Sequence, residues 1–478
     1  MFNLKAGRIK TYILVFLIIT SLILCGSLWF DDYHGFSTFL AKFGNMDLSK
    51  LIGIGKEDIQ TKYERIIQPS RVILNNGEEG HWILYPSNQE HDNFWKIAKT
   101  LLKSTISDNQ TRASLVDATE WNGLLTKSSI IMYFDYPLTK EIISMLFNMD
   151  EKRIKDEISK LDSIAITRVG QNIIMYTKVL ESGREAYRKY YLSDSNQISD
   201  KDFERIFNDS SLIKYASLKE ALPNVKLNLK FQDDVFTPIF SFSDSRRKSL
   251  KLDKVEFFPN LSTTDNKKID ELVIKFFGGS DYSKFIKKDG SYIFIDENNN
   301  MLRIFADGYF EFELSQQENT DFGIKQTMNQ ALSTVEKFGG LENLYISDIK
   351  MLEKQATFRF DYAVNGVLVD CSRKEDSLEK ESAVEVVITP EQIKYKRCWQ
   401  NFKLLSGEYD FSSDHDSIIN AVFEKAGVVK GNIEIKDIKL EYNIAEQSKN
   451  NNLPVWFVSF FANGNEHNIT VDAAKDRR

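Results

Sequence analysis

The sequence predicts an α+β fold: a single N-terminal transmembrane helix followed by extracytoplasmic modules, each a helix laid on an antiparallel meander. Three observations predict it. Thr11 to Phe30 carries no charge. Three later amphipathic segments each end in glycine and are followed by strand-like runs, the pattern of a helix packed on one face of a sheet. Aromatic residues make up 12% of the chain and there are eight prolines, a balance that favours strands.

The length of 478 residues suggests about three domains at ~150 residues each. Hydrophobic residues are 42% and charged residues 27%, the balance of a globular chain rather than a disordered or polytopic one. A net charge of −7 with no basic block makes the chain a poor nucleic-acid binder, and no nucleic-acid partner is expected. Five His and three Cys leave few soft ligands, so no metal or cofactor is expected.

The elements follow in chain order. At 1.5 Å per residue, the twenty residues from Thr11 to Phe30 span a hydrocarbon core of ~30 Å as a helix. Lys5, Arg8 and Lys10 precede them, and Asp31 and Asp32 follow. The positive-inside bias makes residues 1–10 a cytoplasmic basic tail, 11–30 the anchor of a single-pass cell-membrane protein, and the remainder extracellular. A cleaved signal would need small residues in an A-x-A-like pattern, which Cys25-Gly26-Ser27 does not provide, and Leu24 is too large to precede a lipidated Cys25. Ser21, Cys25 and Gly26 form a small-residue stripe, a candidate helix–helix interface.

Residues 31–68 read as a stalk with weak helical signals, and residues 69–220 as an N-terminal extracytoplasmic α+β domain. In it, Arg71 to Tyr85 is a hairpin about Asn75-Asn76-Gly77, ended by Pro86. Glu90 to Ser104 is a helix with Phe94, Ile97, Ala98, Leu101 and Leu102 on one face. Ser129 to Tyr136 is a strand closed by Pro137, and Thr139 starts a helix running to Phe147. Ile164 to Leu192 holds two or three strands with turns at Gly170 and Ser182-Gly183.

A weak structural repeat occupies the rest: a central β-rich module at 221–320 and helix-plus-meander modules at 321–478. Its helices are Lys267 to Phe277, Lys325 to Phe338 and Asp416 to Lys425, stopped by Gly278-Gly279, Gly339-Gly340 and Gly427. Strands follow each, with turns at Asn298-Asn299-Asn300, Asn365-Gly366 and Asn463-Gly464.

No motif carries chemistry. Gly53-Ile54-Gly55-Lys56 is a fragment of a phosphate loop with no strand before it. The S-x-x-K pattern recurs at Ser211, Ser245, Ser347 and Ser377 without a K-T-G partner, so a transpeptidase is dismissed. Glu90-His91-Asp92 and Asp414-His415-Asp416 stand at predicted helix starts and read as caps rather than metal ligands. Trp82, Trp95, Trp121, Trp399 and Trp456 lie in apolar patterns and read mostly as core rather than as a sugar-stacking platform. Outside the anchor the cysteines are Cys371 and Cys398; an exterior location permits a disulfide between them, and two free thiols fit equally well.

The basic start Arg8-Ile9-Lys10-Thr11 and the span after it carry a family resemblance, as do the hairpin end His81-Trp82-Ile83-Leu84-Tyr85-Pro86 and the strand–Pro–helix Tyr133-Phe134-Asp135-Tyr136-Pro137-Leu138. The C-terminal run from Leu453-Pro454-Val455-Trp456 to Val471-Asp472-Ala473 adds to it. Together these resemble the YycH family, membrane-anchored regulators of the YycG (WalK) sensor histidine kinase in low-GC Gram-positive bacteria; the C-terminal modules also resemble those of the shorter YycI. The resemblance covers nearly the whole chain and is diffuse. It implies a non-enzymatic regulator acting by membrane-helix and exterior contacts on a kinase that governs cell-wall metabolism, with a YycI-like protein as a further partner. The competing reading from another class is an extracytoplasmic wall-binding or wall-processing protein, which requires exposed Trp or clustered carboxylates.

Overall fold

The computed structural model describes residues 58–77, 80–108, 111–170, 172–181, 183–192, 214–218, 229–231, 234–238, 254–259, 266–279, 281–305, 307–316, 322–372, 380–405, 409–411, 415–427, 433–444 and 453–476. The chain divides into two units, Met1–Thr61 and Lys62–Arg478, and of the first only residues 58–61 are described. The expected anchor and most of the stalk therefore lie outside the described residues. Among these residues no helix is long and apolar enough to cross a membrane.

The first half supplies helix α1 (Ile59–Ile66), strands β1 (Arg71–Asn76) and β2 (His81–Leu84), helix α2 (Gln89–Ser107), strand β3 (Ser114–Val116), helix α3 (Ala118–Asn122), strand β4 (Ser128–Thr139) and helix α4 (Lys140–Phe147). Strands β5 (Lys160–Val169), β6 (Asn172–Glu181), β7 (Arg184–Leu192), β8 (Lys214–Ser217), β9 (Leu229–Phe231), β10 (Phe236–Pro238) and β11 (Lys254–Pro259) follow. One sheet runs in the order β10-β8-β2-β1-β4-β5-β6-β7-β3. The expected β1–β2 hairpin forms, pairing Val72 with Leu84 and Asn75 with His81, but Asn75 and Asn76 belong to β1 and the turn lies past them. Ile164 to Leu192 proves to be parts of three strands, β5 to β7, with Gly170 and Gly183 at positive φ in the two turns.

Two local expectations are corrected. Pro137 does not close its strand: β4 continues to Thr139, and the pairing with β5 shifts between Tyr133 and Leu138. A proline cannot donate to a ladder, and the irregularity removes that requirement. The cap of α2 is Asn88, whose side chain accepts from the backbone N–H of Glu90 and His91; Glu90 and Asp92 sit in the first turn, where they favour the helix dipole. The cap of α4 is Thr139, as expected.

The second half contains α5 (Asn266–Phe277), β12 (Tyr282–Ile286), β13 (Tyr292–Asp296), β14 (Met301–Ile304), β15 (Tyr309–Ser315), α6 (Ile324–Gly339), β16 (Leu344–Leu352), β17 (Gln355–Val364) and β18 (Val367–Asp370). It continues with β19 (Val384–Ile388), β20 (Gln392–Cys398), β21 (Gln400–Leu405), β22 (Tyr409–Phe411), α7 (His415–Ala426), β23 (Ile433–Asn443), β24 (Val455–Ala462), β25 (Asn465–Asp472) and β26 (Ala474–Asp476). Each helix–meander set is present, and the meanders fuse edge to edge. The main path is β12-β13-β14-β15-β20-β19-β17-β18-β23-β24-β25, with β16 paired to β17 and β9 to β23. Antiparallel hairpins continue across the seam β15–β20, whereas the seam β18–β23 is parallel. Joining meanders this way removes open edges that would otherwise template aggregation.

Helices cover the sheet by their apolar stripes. Helix α6 buries Met328, Ala331, Leu332, Val335 and Phe338 and lies on β17 and β19; α7 lies on β24 and β25. Phe276 of α5 stacks on Phe338 of α6, ring centroids 4.0 Å apart and nearly parallel, with Phe312 edge-on to both. The two sheets meet through α4 on α6 and β4 on β16. The chain also crosses between them. Strands β8 and β10 belong to the first sheet, while β9 between them pairs with β23 of the second.

Candidate functional site

Lys5, Arg8, Lys10, Ser21, Cys25, Gly26, Asp31 and Asp32 all lie outside the described residues. Of the residues singled out by the sequence, the structure brings together Cys371, just past β18, and Cys398, the last residue of β20. Both are buried, and their side chains are in hydrogen-bonding contact.

His91 is buried, and its Nε2–H donates to the Pro69 carbonyl at 2.9 Å; it helps pin α2 to the segment after α1, as does Trp95, whose indole donates to Ile67 at 3.1 Å. Trp82, Trp95, Trp121 and Trp456 are buried and Trp399 is half-buried. These side chains pack the core, and a Trp platform for sugar is not assembled from those four.

A polar arrangement lies where the two sheets meet. Arg71 of β1 projects between Asp234, at 2.9 Å, and Asp437 of β23, at 3.7 Å, with its guanidinium 4.5 Å from the Tyr133 ring centroid. Lys439 pairs with the other Asp437 oxygen at 2.9 Å, and the Ile438 N–H donates to Asp437 at 3.0 Å. Lys380 binds Glu441 two positions along the same strand. Beside them Tyr85, Tyr345, Ala363 and Leu368 form a small apolar cluster that spans both halves of the chain.

The electrostatics follow from this geometry. Burial opposes charge on Arg71, but Asp437 and Asp234 outweigh it and hold the guanidinium proton more tightly than usual. Burial pushes the Asp437 carboxyl up, and Lys439 and Arg71 pull it below the usual carboxylate range. Asp437 holds the Lys439 proton more tightly against burial. Glu441 goes the other way: burial raises its carboxyl, and Lys380 offsets only part of that.

Further contacts reinforce the junction. Lys62 pairs with Glu336, and the Tyr63 hydroxyl donates to Asn329. The Asn365 N–H donates to Ser87 Oγ at 3.0 Å, across more than half the chain. Its neighbour Gly366 has φ +75°, and a Cβ there would lie 2.9 Å from the Asn88 Cβ, so this turn both needs glycine's backbone freedom and has no room for a side chain. A cleft of about 470 Å³ opens beside these contacts, with Trp95, Leu344 and Tyr345 lining it along with Glu64, Arg65 and Lys99. Lys99 bridges to Glu64 at 3.3 Å.

Sequence reasoning did not find this junction. Arg71, Asp234 and Asp437 are far apart in the chain, and no local spacing connects them. The available signal was the strand Ile433–Asn443, which alternates apolar residues with Lys, Asp and Glu, but that pattern also describes an ordinary solvated sheet face.

Residues 7–210 match the model of the YycH protein, N-terminal domain. The chain is similar to the crystal structure of YycH from Bacillus subtilis at 12% identity, covering 85% of this chain and 97% of that one, with a TM-score of 0.49. It is also similar to the Bacillus megaterium YpeB C-terminal domain, at 12% identity, 43% and 92% coverage and a TM-score of 0.21. No curated protein matches the chain in sequence. The match places a domain similar to the YycH N-terminal domain at residues 7–210 of this chain.

Proposed function

We propose that this protein is a non-enzymatic, membrane-anchored regulator of a YycG (WalK)-type sensor histidine kinase controlling cell-wall metabolism, with a YycI-like protein as a further partner. The observation that carries the reading is the family match at residues 7–210, which takes in the charge-free segment 11–30 and its flanking charges. In this reading residues 1–10 are cytoplasmic, 11–30 span the membrane, and 31–68 lead to the exterior part of the chain. A regulator without chemistry of its own acts by binding two kinase conformations with different affinity. The ion pairs, hydrogen bonds and apolar cluster between the two sheets support such a role, because they tie together the parts of the exterior that a partner would contact.

Crosslinking in native membranes, purification of the full-length protein and mass spectrometry of its partners test this. Recovery of a sensor histidine kinase is expected, and its loss when residues 11–30 are replaced by an unrelated span. Replacing Ser21 and Gly26 with Leu should weaken association if the small-residue stripe packs on a kinase helix. Recovery of wall polymer or wall enzymes alone would overturn the regulator reading.

A further inference from the structure

The topology around β17 brings two distant cysteines to one point. Strands β18 and β19 pair with β17 end to end: β18 takes Tyr362 to Val364, and β19 takes Ala356 to Phe360. The chain must therefore leave the sheet just after Asp370, at Cys371, and re-enter at Val384. Strand β20 runs beside β19, and its last residue, Cys398, donates its N–H to the Ala383 carbonyl at 2.8 Å, at that same re-entry point. The Tyr362 hydroxyl donates to the Cys398 carbonyl at 3.2 Å, and Tyr309 pairs with Cys398 across the β15–β20 seam. At this point Cys371 is 1% and Cys398 0% exposed and the two side chains touch.

We propose that Cys371 and Cys398 are joined as a disulfide in the mature protein, stapling the exit of β18 to the end of β20 in the middle of the large sheet. The proposal rests on the reading that places these modules outside the cytoplasm, where disulfides persist. The oxidant is the disulfide of an extracytoplasmic thiol–disulfide oxidoreductase. One cysteine thiolate attacks it to give a mixed disulfide and one oxidoreductase thiol. The second cysteine then displaces the other oxidoreductase sulfur. One Sγ–Sγ bond forms, one S–S bond breaks, two electrons pass to the oxidoreductase, and two thiol protons leave the cysteines while two protonate the dithiol product.

Timing follows from burial. In the folded protein burial raises the Cys371 thiol well above its ordinary value, and nearby Cys398, Asp361 and Asp370 raise it further, so the thiolate needed for attack is suppressed. Exchange therefore belongs to the folding chain, before the two cysteines are buried. The same burial then shields the finished bond from reductants.

The test is the full-length protein from membranes of its native host, denatured in acid, alkylated without reductant and digested. The expected result is a single peptide pair linking Cys371 to Cys398, separated by dithiothreitol, with Cys25 alkylated. Reduction, or the double variant Cys371→Ala/Cys398→Ala, should lower the Tm of the exterior by about 5 °C. The single variant Cys371→Ala should leave Cys398 alkylatable. Alkylation of both thiols in the unreduced protein would overturn the proposal. Protease accessibility on intact cells separates the two premises: an accessible exterior with free thiols removes the disulfide alone, whereas an inaccessible one removes the topology.

Discussion

Asp437 shows how a single side chain joins the two halves of the molecule. Its two oxygens face Arg71 and Lys439, and both partners stabilise the carboxylate more than burial costs it. Asp437→Asn keeps the shape and removes the charge, leaving Lys439 without its partner and Arg71 with Asp234 alone. The expected loss is about 1–3 kcal/mol at pH 7, measured by denaturant unfolding. Because the folded carboxyl titrates below its unfolded value of about 3.9, this contribution is fully present above that pH and is lost as pH falls through the lower folded value. The gap between the two proteins should therefore close on acidification. Equal stability at pH 7 would show that the pair does not couple the sheets. Glu441 acts in the opposite sense. Its carboxyl is raised by burial, so its contribution is greatest below the unfolded pKa and is lost as pH rises through the folded one.

Secondary elements were largely readable because they repeat over a few residues. Gly77, Gly170 and Gly183 adopt the positive φ that their turn positions require, and the helix α6 stripe falls at the expected spacing. The misplaced strand end at Pro137 has a specific cause. Proline signals a break only where the ladder needs its N–H, and the irregular pairing with β5 cancels that need. Contacts between elements were not readable in the same way. Phe276 and Phe338 each appear as one apolar position on its own helix, and only their stack shows that α5 and α6 share a core. Phe338→Ala should cost about 3–5 kcal/mol, since it removes a fully packed ring also touching Phe312 and Tyr395. Thermal denaturation checks this, and a shift of less than a degree would show that the stack is replaceable by neighbours.

At the scale of the whole molecule, the exchange of strands between sheets dominates. Strands β8, β9 and β10 alternate between the two sheets, so neither sheet can unfold without disrupting the other. Residues 62–478 should give one calorimetric transition, with the calorimetric and van't Hoff enthalpies in agreement. Two resolved transitions would mean that the sheets are independent domains joined by weak contacts. The expected divisions near residues 220 and 320 reflect composition and turn signals. Pairing ignores them, because β10 joins the first sheet from beyond residue 220 and β15 joins β20 across residue 320.

By itself, the sequence determined the α+β class, the order of helices and strands, and the apolar segment with asymmetric flanks. Each of these arises from residues a few positions apart, within reach of helix and strand periodicity. Its diffuse likeness to the YycH family was legible for the same reason, since order and pattern are local properties. Only the tertiary structure decided which meanders fuse, where Arg71 meets Asp234 and Asp437, and that Cys371 lies against Cys398. Those pairings depend on the register and crossing of strands far apart in the chain, and local spacing carries no record of them.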